Sequence, residues 1–330
     1  MKSPIFVIGN PRSGTTLLRL MLTCHPNICV PPEAGWLINL YPKYRDFTLR
    51  TDRLKRFVDD LFSPPKIEGW GLERFNLLER LEEAKPTDYA TLASHVYLYY
   101  ASVHQPGKSR WGDKNNFHLN HIEKIHRLFP DAHFLHIIRD GRDVACSYRD
   151  LSQIQGEYAP KLSASICGAA YDWVKNIKII QKSFATIGQG RTLAIRYEDL
   201  VQQPHKTLQM VCDFLGEDYD ERMLSFAEEN RKKQLEPEMF MNWKTRTKEQ
   251  LTDTRAERWK REMFEEDRYL FQLLAKETLM RYGYEIEHSL SVPFASRMLR
   301  LYVSAWLLGQ RGQKLIRRLK RKMGSLGGGQ

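Results

Sequence analysis

Short apolar runs alternate along this chain with longer stretches in which apolar residues recur every three or four positions. β-strands are predicted at 4–8, 109–112, 132–138 and 192–196, and the first of these is a short apolar run. The intervening stretches, of which 51–62 is an example, have the periodicity of amphipathic helices. Strands that alternate with helices predict an α/β fold in which a parallel sheet is joined by right-handed crossovers.

Residues 36–105 form the longest interval between two predicted strands. They are polar and helical in pattern, and they separate the first predicted strand from the second. Segments inserted beside the ends of strands commonly carry binding residues. This helical insertion is therefore expected to line a substrate site, with a plain packing cap as the alternative.

A glycine loop follows the first strand. Residues 9–16 read GNPRSGTT, with the glycine spacing of a nucleotide P-loop, and a helical stretch comes next. Such a loop aims backbone N–H groups and a helix N-terminus at a phosphate. A P-loop carries a lysine directly after its second glycine, whereas this chain has Thr15 there and Arg12 as the cation of the loop. The pattern predicts a site for a phosphate-like group other than ATP. The alternative is an ordinary strand-to-helix turn.

A second anion site is indicated after the strand at 132–138. Arg139 stands at the predicted carboxyl end of that strand, and Ser147 lies two helical turns further on. The two side chains can reach one anion from two sides, although purely structural roles are the alternative. Asp140 and Asp143 occupy the first turn of the helix, where acidic residues are expected, so no metal is assigned. Both anion sites are predicted at one edge of the sheet.

Four segments together resemble the sulfotransferase family, whose donor is 3′-phosphoadenosine 5′-phosphosulfate (PAPS). They read PRSGTTL at 11–17, WGDK at 111–114, RDGRDVACS at 139–147 and IRYEDLV at 195–201, in the order found in that family. The resemblance covers residues 1–260 in rough outline. It is closest to the tyrosylprotein and carbohydrate branch and to soluble bacterial relatives.

The resemblance implies a P-loop-like parallel sheet flanked by helices, and transfer of a sulfuryl group from PAPS to a hydroxyl of a carbohydrate, lipid, phenol or tyrosine. Two other interpretations stay open: a P-loop kinase with Asp140 as its magnesium ligand, and a membrane-associated adaptor that acts through the basic C-terminus. The lysine missing from the loop counts against the kinase. The glycine-rich segment that closes over the donor in the small-molecule enzymes is absent. Residues 255–260 stand in its region, so the residues that cover the 3′-phosphate within 240–262 are left open.

The resemblance also implies roles for individual residues. Glu33 is expected to be the catalytic base, and Arg12 and Lys114 are expected to stabilise the sulfuryl group and the bridging oxygen. Donor binding is expected from Arg12, Ser13, Gly14, Thr15, Thr16, Arg139, Ser147 and Tyr197.

Each of these roles has a plainer alternative. Glu33 is also placed to cap a helix that begins near Ala34. Lys114 is equally an ordinary surface lysine, and Tyr197 a core residue that follows a strand. His118 is the second candidate for the base.

Composition is that of a soluble enzyme with one large core, or with a core and an insertion. Five cysteines without a C-x-x-C pair favour a reducing compartment. The first strand begins at Pro4, and no uncharged apolar stretch reaches the length of a membrane span, about eighteen residues. We therefore expect no signal peptide or anchor before the catalytic domain at 1–288, a cytoplasmic location and no nucleic-acid partner.

Residues 289–330 form a basic extension. Nine of the 51 Lys and Arg residues fall there and none of the 40 Asp and Glu, which leaves +2 of the net charge of +11 for residues 1–288. Apolar residues recur at helical spacing beside these cations. This pattern predicts peripheral contact with an anionic membrane through 289–323, or else a terminal helix that packs on the domain.

Removal of residues 289–330 is expected to weaken binding to anionic vesicles. Rising salt should have the same effect on the full chain, because it screens the attraction between exposed charges and the surface. Cosedimentation with phosphatidylserine-containing vesicles measures both effects. Equal binding by the truncated and the full chain would assign the extension a structural role.

Overall fold

The computed structural model describes residues 1–152, 154, 162–238, 241–254, 256–287, 303, 305, 306 and 308–310. Its strands are β1 (Ile5–Ile8), β2 (Ile28–Cys29), β3 (Arg110–Lys114), β4 (His133–Ile138) and β5 (Thr192–Arg196). They form one five-stranded sheet in the order β2-β3-β1-β4-β5, and every neighbouring pair is parallel.

Helices connect these strands and cover the sheet. In chain order they are α1 (Thr15–Cys24), α2 (Trp36–Tyr44), α3 (Thr51–Leu61), α4 (Arg74–Ala84), α5 (Tyr89–His104), α6 (Ile122–Leu128), α7 (Gly141–Leu151), α8 (Ile166–Ile187), α9 (Tyr197–Gln202), α10 (Pro204–Leu215), α11 (Phe226–Lys233), α12 (Met241–Lys244), α13 (Trp259–Glu262) and α14 (Glu265–Arg281). Short 3-10 helices occupy Pro65–Trp70, Asn116–Asn120, Gln189–Arg191, Glu221–Ser225 and Thr245–Lys248.

The predicted α/β class with a parallel sheet is confirmed. The four predicted strands coincide with β1, β3, β4 and β5. β1 and β4 read as apolar runs, as buried strands of a parallel sheet do. The predicted helix at 51–62 coincides with α3. The sequence pattern does not predict β2, since a strand of two residues carries no periodicity.

The register of the sheet aligns the carboxyl ends of its central strands. Val7 of β1 pairs with Lys114 of β3 and with Leu135 of β4. β1 then ends at Ile8, directly before the glycine loop, and α7 begins at Gly141, three residues after the end of β4. The glycine loop, Lys114 and the N-terminus of α7 therefore emerge at one edge, which is where open parallel sheets bind ligands.

The helical insertion, α2 to α5, packs against one face of the sheet. Its aromatic side chains Trp36, Trp70 and Tyr97 are buried together with Trp111 of β3. The rings of Tyr97 and Trp111 stack with their centroids 4.3 Å apart. Each such side chain contributes roughly 1.5–3 kcal/mol by burial. This cluster fixes the position of α2 and of the loop that joins β2 to α2.

The other helices complete the core. α1, α10 and α11 cover the opposite face of the sheet, with Leu18, Leu208 and Phe226 among the buried residues. A third apolar cluster joins α7, α8, α13 and α14 around Trp173 and Phe271. This cluster supports the N-terminus of α7, because Trp173 Nε1 donates a hydrogen bond of 3.2 Å to the carbonyl of Arg139.

The basic extension lies almost wholly outside the described residues, so the division at residue 288 stays a prediction. At the described positions, Val303 is buried, and the ring of Trp306 lies 5.6 Å from that of Tyr171 on α8. Within the described ranges, no helix combines the length and the apolar character that crossing a membrane requires.

Candidate functional site

The glycine loop joins β1 to α1 in a conformation suited to an anion. Arg12 has a φ of 73° and Gly14 a φ of 94°, both in the left-handed region. Gly14 is the N-cap of α1 and offers no side-chain acceptor to the first N–H groups of that helix. The Oγ of Ser13 is buried and has no hydrogen-bond partner among the described residues. These donors suit the oxygens of a phosphate or sulfate group.

Arg139 and Ser147 lie beside this loop. Ser147 Oγ accepts a hydrogen bond of 3.1 Å from Nε of Arg12. The guanidinium of Arg139 lies 4.4 Å from the ring centroid of Tyr197, and its Nη1 is 3.5 Å from the carbonyl oxygen of Arg12. Tyr197 also contacts the loop at Gly14. The structure thus brings together the two anion sites that the sequence predicts at one edge of the sheet.

Asp140, the N-cap of α7, and Asp143, in its first turn, hold the start of that helix. Both carboxylate oxygens of Asp140 accept from Arg142, from Nε at 3.0 Å and from Nη2 at 2.7 Å. Asp143 Oδ1 accepts from the backbone N–H of Trp259 at 2.9 Å. Burial raises the pKa of Asp143 to about 6, although Arg139 acts in the opposite direction. A magnesium ion bound by Asp140 would have to displace Arg142 from that carboxylate. The pairing of Asp140 with Arg142 therefore weighs against the kinase interpretation.

The sequence leaves open which residues within 240–262 would cover the 3′-phosphate. Some residues of that interval pack on α7. The guanidinium of Arg142 lies 3.5 Å from the ring centroid of Trp259. Arg258 binds Asp150 of α7 through Nη1 at 2.8 Å and Glu262 through Nε at 2.9 Å. These contacts fasten α13 to the helix that carries Ser147.

Glu33 and Lys114 form an ion pair at the same edge of the sheet. The side chain of Lys114 is 2% exposed and that of Glu33 is 14% exposed. Burial acts to raise the pKa of Glu33, but Lys114 and Lys244 outweigh it and lower that pKa to about 2. Burial also lowers the pKa of Lys114 to about 8, although Glu33 opposes the change. Both side chains are thus charged at neutral pH.

The plainer alternatives for these residues can be compared with this geometry. The N-cap of α2 is Gly35, so the described contacts give Glu33 no capping role. Lys114 is buried, which excludes an ordinary surface lysine. Tyr197 is buried and its ring also contacts Arg139, so it lies both in the core and beside the predicted anion site.

His118 lies in a separate hydrogen-bond group that sequence reasoning missed. Asp113 Oδ2 accepts from His118 Nε2 at 2.7 Å and from the hydroxyl of Tyr97 at 2.5 Å. Successive strand residues point to opposite faces, so Asp113 points away from Lys114. This placement argues against His118 as a substitute for Glu33.

Sequence reasoning also missed a buried ionic group next to the Glu33–Lys114 pair. Arg19 of α1 pairs with Glu236, which in turn pairs with Lys244 of α12. Arg19 gives a signal in the sequence, because it interrupts the apolar run of α1 and buried arginines need partners. Glu236 and Lys244 lie in a polar stretch that gives no such signal.

Comparison with known proteins identifies the family. A model of the sulfotransferase family matches residues 4–221. The chain belongs to the sulfotransferase family. The resemblance stated from the sequence motifs is thereby confirmed. As a member of this family, the protein is an enzyme of the transferase class.

Two curated relatives illustrate the similarity. Protein-tyrosine sulfotransferase 2 of Gallus gallus is 25% identical over 234 residues, which are 68% of this chain and 54% of the relative. Nodulation protein NoeE of Sinorhizobium fredii is 25% identical over 297 residues, which are 85% of this chain and 65% of the relative. This sulfotransferase therefore spans between about half and two thirds of the length of these relatives.

Solved structures show the same fold. The sulfotransferase domain of the Synechococcus PCC 7002 olefin synthase aligns with a TM-score of 0.58 at 23% identity, covering 87% of this chain and 98% of that domain. The sulfotransferase domain of the curacin biosynthetic pathway aligns with a TM-score of 0.58 at 20% identity, covering 87% and 99%. The predicted P-loop-like sheet flanked by helices is the fold of these domains.

Proposed function

We propose that this chain transfers a sulfuryl group from PAPS to a hydroxyl acceptor, with Glu33 as the base. The observation that carries the proposal is the buried Glu33–Lys114 ion pair. It lies at the sheet edge that also carries the glycine loop, Arg139 and Ser147. A carboxylate and an ammonium beside an anion site are the two groups that transfer between oxygen atoms requires.

The described residues suit both ends of the donor. The loop residues Ser13, Thr15 and Thr16 would hold the 5′ end, where the unpartnered Oγ of Ser13 and the N-terminus of α1 offer hydrogen-bond donors. Arg139 and Ser147 would hold the 3′-phosphate, and Arg139 is kept in place by the ring of Tyr197.

Glu33 and Lys114 would have different roles in the reaction. Glu33 would accept the proton of the acceptor hydroxyl while the new bond forms between that oxygen and sulfur. Lys114 and Arg12 would stabilise the charge that develops on the bridging oxygen as its bond to sulfur breaks, and on the sulfuryl group in transit. As in phosphoryl transfer, positioning and electrostatic stabilisation supply most of the catalysis.

The acceptor is proposed only as a hydroxyl compound: carbohydrate, lipid, phenol or tyrosine. Gly35 and Asn115 adjoin the Glu33–Lys114 pair in sequence, and a Cβ on Gly35 would lie 3.7 Å from Nδ2 of Asn39 and 4.0 Å from Oδ1 of Asn115. The start of the helical insertion would therefore form one wall of the acceptor site.

Incubation with labelled PAPS and a metabolite extract, followed by mass analysis of the sulfated product, tests the activity and identifies the acceptor. If no labelled product forms from a carbohydrate, lipid, phenol or tyrosine compound in such an extract, the proposal fails.

Composition supports our proposals for the location of the enzyme and for its contact with a membrane. We propose a cytoplasmic enzyme, on the basis of its cysteine usage. The nine cations of 289–330 support peripheral contact with an anionic membrane. Fractionation of cells that express the full chain tests both.

Adenosine 3′,5′-bisphosphate is expected to raise the melting temperature of the chain more than ATP with magnesium does. A ligand at a hundred times its Kd stabilises a protein by about 2.7 kcal/mol, and only the bisphosphate offers a phosphate to Arg139 and Ser147 as well as to the loop. Thermal unfolding at equal ligand concentrations measures the difference. Adenosine 5′-monophosphate is the control for the 3′-phosphate and should have a smaller effect. A larger shift with ATP and magnesium would favour the kinase.

A further inference from the structure

A second group of buried charges links α1 to the segment that follows α11. Arg19 Nη2 lies 2.6 Å from Oε2 of Glu236, and the other oxygen of Glu236 pairs with Nζ of Lys244. The side chains of Arg19, Glu236 and Lys244 are 2%, 0% and 8% exposed. Buried ions are retained in folded proteins when they are paired and hydrogen-bonded, as these are.

Hydrogen bonds fix this group on both sides. Arg19 Nη1 donates to the carbonyl of Val30 at 3.0 Å, three residues before Glu33 in the chain. Asn230, which is fully buried, accepts from the backbone N–H of Glu236 at 2.9 Å and donates to the carbonyl of Thr247 at 3.0 Å. Asn230 therefore closes a loop of chain around Lys244, and Arg19 ties that loop to the segment that carries Glu33.

Charge is unequal across the combined group. Among the described residues, the carboxylates of Glu33 and Glu236 are outnumbered by the cations near them, which are Lys114, Lys244, Arg19 and Lys66. A surplus positive charge in a buried site is offset when an anion enters.

We propose that Lys244 is a positioning residue for the base, and that it keeps Glu33 ionised when Lys114 turns from that carboxylate to the donor. This inference rests on the proposed function, in which Lys114 acts on the bridging oxygen. Glu236 and Arg19 hold Lys244 in place. The charge of Lys244 would therefore continue to act on Glu33 when Lys114 moves.

Three lysines act on Glu33 from three elements: Lys114 from β3, Lys244 from α12, and Lys66 from the 3-10 helix Pro65–Trp70. Burial acts to raise the pKa of Glu33, and the lysines together lower it to about 2. With Lys114 and Lys244 both removed, Lys66 is the one of these three lysines that still opposes burial, and the pKa of Glu33 should rise towards or above its ordinary value of 4.5. With a raised pKa, a larger fraction of the carboxyl is protonated at a given pH and unable to accept a proton.

The titration of Glu33 tests this inference in the full chain. Lys114→Met imitates the state in which Lys114 has left the carboxylate. The carboxyl ¹³C resonance of Glu33, identified by its loss in Glu33→Gln, should titrate about 1–2 pH units higher in Lys114→Met/Lys244→Met than in Lys114→Met. Lys244→Arg in the same background should restore the lower value.

A matched surface pair supplies the control. Lys232 lies 2.6 Å from Glu228, and the two side chains are 63% and 56% exposed. Lys232→Met in the Lys114→Met background should leave the titration unchanged. Should the double methionine variant fail to fold, Lys114→Met/Lys244→Gln gives the same comparison. Coincident titration curves with and without Lys244 would overturn the inference whether or not the chain transfers sulfuryl groups. A failure of the wild-type chain to transfer them would count against the proposed function instead.

Discussion

Replacement of Glu33 by glutamine is expected to lower turnover by about a hundredfold to ten-thousandfold, the usual contribution of general acid–base catalysis. Glutamine keeps the size of the side chain but cannot take a proton from the acceptor. Affinity for adenosine 3′,5′-bisphosphate should change little, because Glu33 follows β2 and lies outside the glycine loop. Steady-state kinetics with the identified acceptor and calorimetric titration of the nucleotide measure the two quantities.

Two further variants separate the role of Glu33 from general damage. Lys114→Met should lower both turnover and donor affinity, because an ammonium at the bridging oxygen acts on the bound donor and on the transition state. Glu68→Gln is the matched control on an exposed residue and should leave both quantities unchanged. Near-normal turnover of Glu33→Gln at neutral pH would show that the base lies elsewhere.

Gly14→Ala is expected to lower the free energy of unfolding by about 2–5 kcal/mol and to abolish tight nucleotide binding. Its φ of 94° costs a residue with a Cβ about 1–2 kcal/mol. The added Cβ would also lie 2.5 Å from Cδ2 of Tyr197, and such overpacking costs about 1–3 kcal/mol. Relief of the contact would move the loop or the ring that supports Arg139. Denaturant unfolding and calorimetry measure the two losses.

Gly107 supplies the control for this variant. Its φ is 90°, close to that of Gly14, but a Cβ there would have no heavy atom within 4 Å. Gly107→Ala should therefore lose only the conformational contribution, about 1–2 kcal/mol, and should bind the nucleotide normally. Equal losses in the two variants would mean that the contact between Gly14 and Tyr197 is unimportant.

The sheet and one side of the site could be predicted from the sequence for a common reason. The central strands β1 and β4 are buried on both faces, so they appear as apolar runs. Arg12 and Arg139, which we propose as binding residues, come soon after those runs, at the edge where open parallel sheets bind ligands. Their mutual contacts follow from strand order, which the sequence does not show by itself.

Other parts of the site depend on contacts between distant segments. Glu33 and Lys114 are separated by 81 residues, and the partner of Arg19 lies 217 residues further along the chain. The periodicity of apolar residues along the sequence does not indicate such pairings. Glu236 and Lys244 look like solvated charges in the sequence, and only the packing of α12 and its neighbours shows that they are buried.

The pairing of Arg19 with Glu236 limits how the glycine loop can be transplanted. A protein engineer who grafted residues 5–24 onto another parallel sheet would transfer a buried guanidinium without the carboxylate that balances it. An ion left alone in this way destabilises a protein by several kcal/mol. The glycine loop of this chain therefore cannot be transferred by itself. Its transfer requires a carboxylate at the position that Glu236 occupies, or an apolar replacement for Arg19.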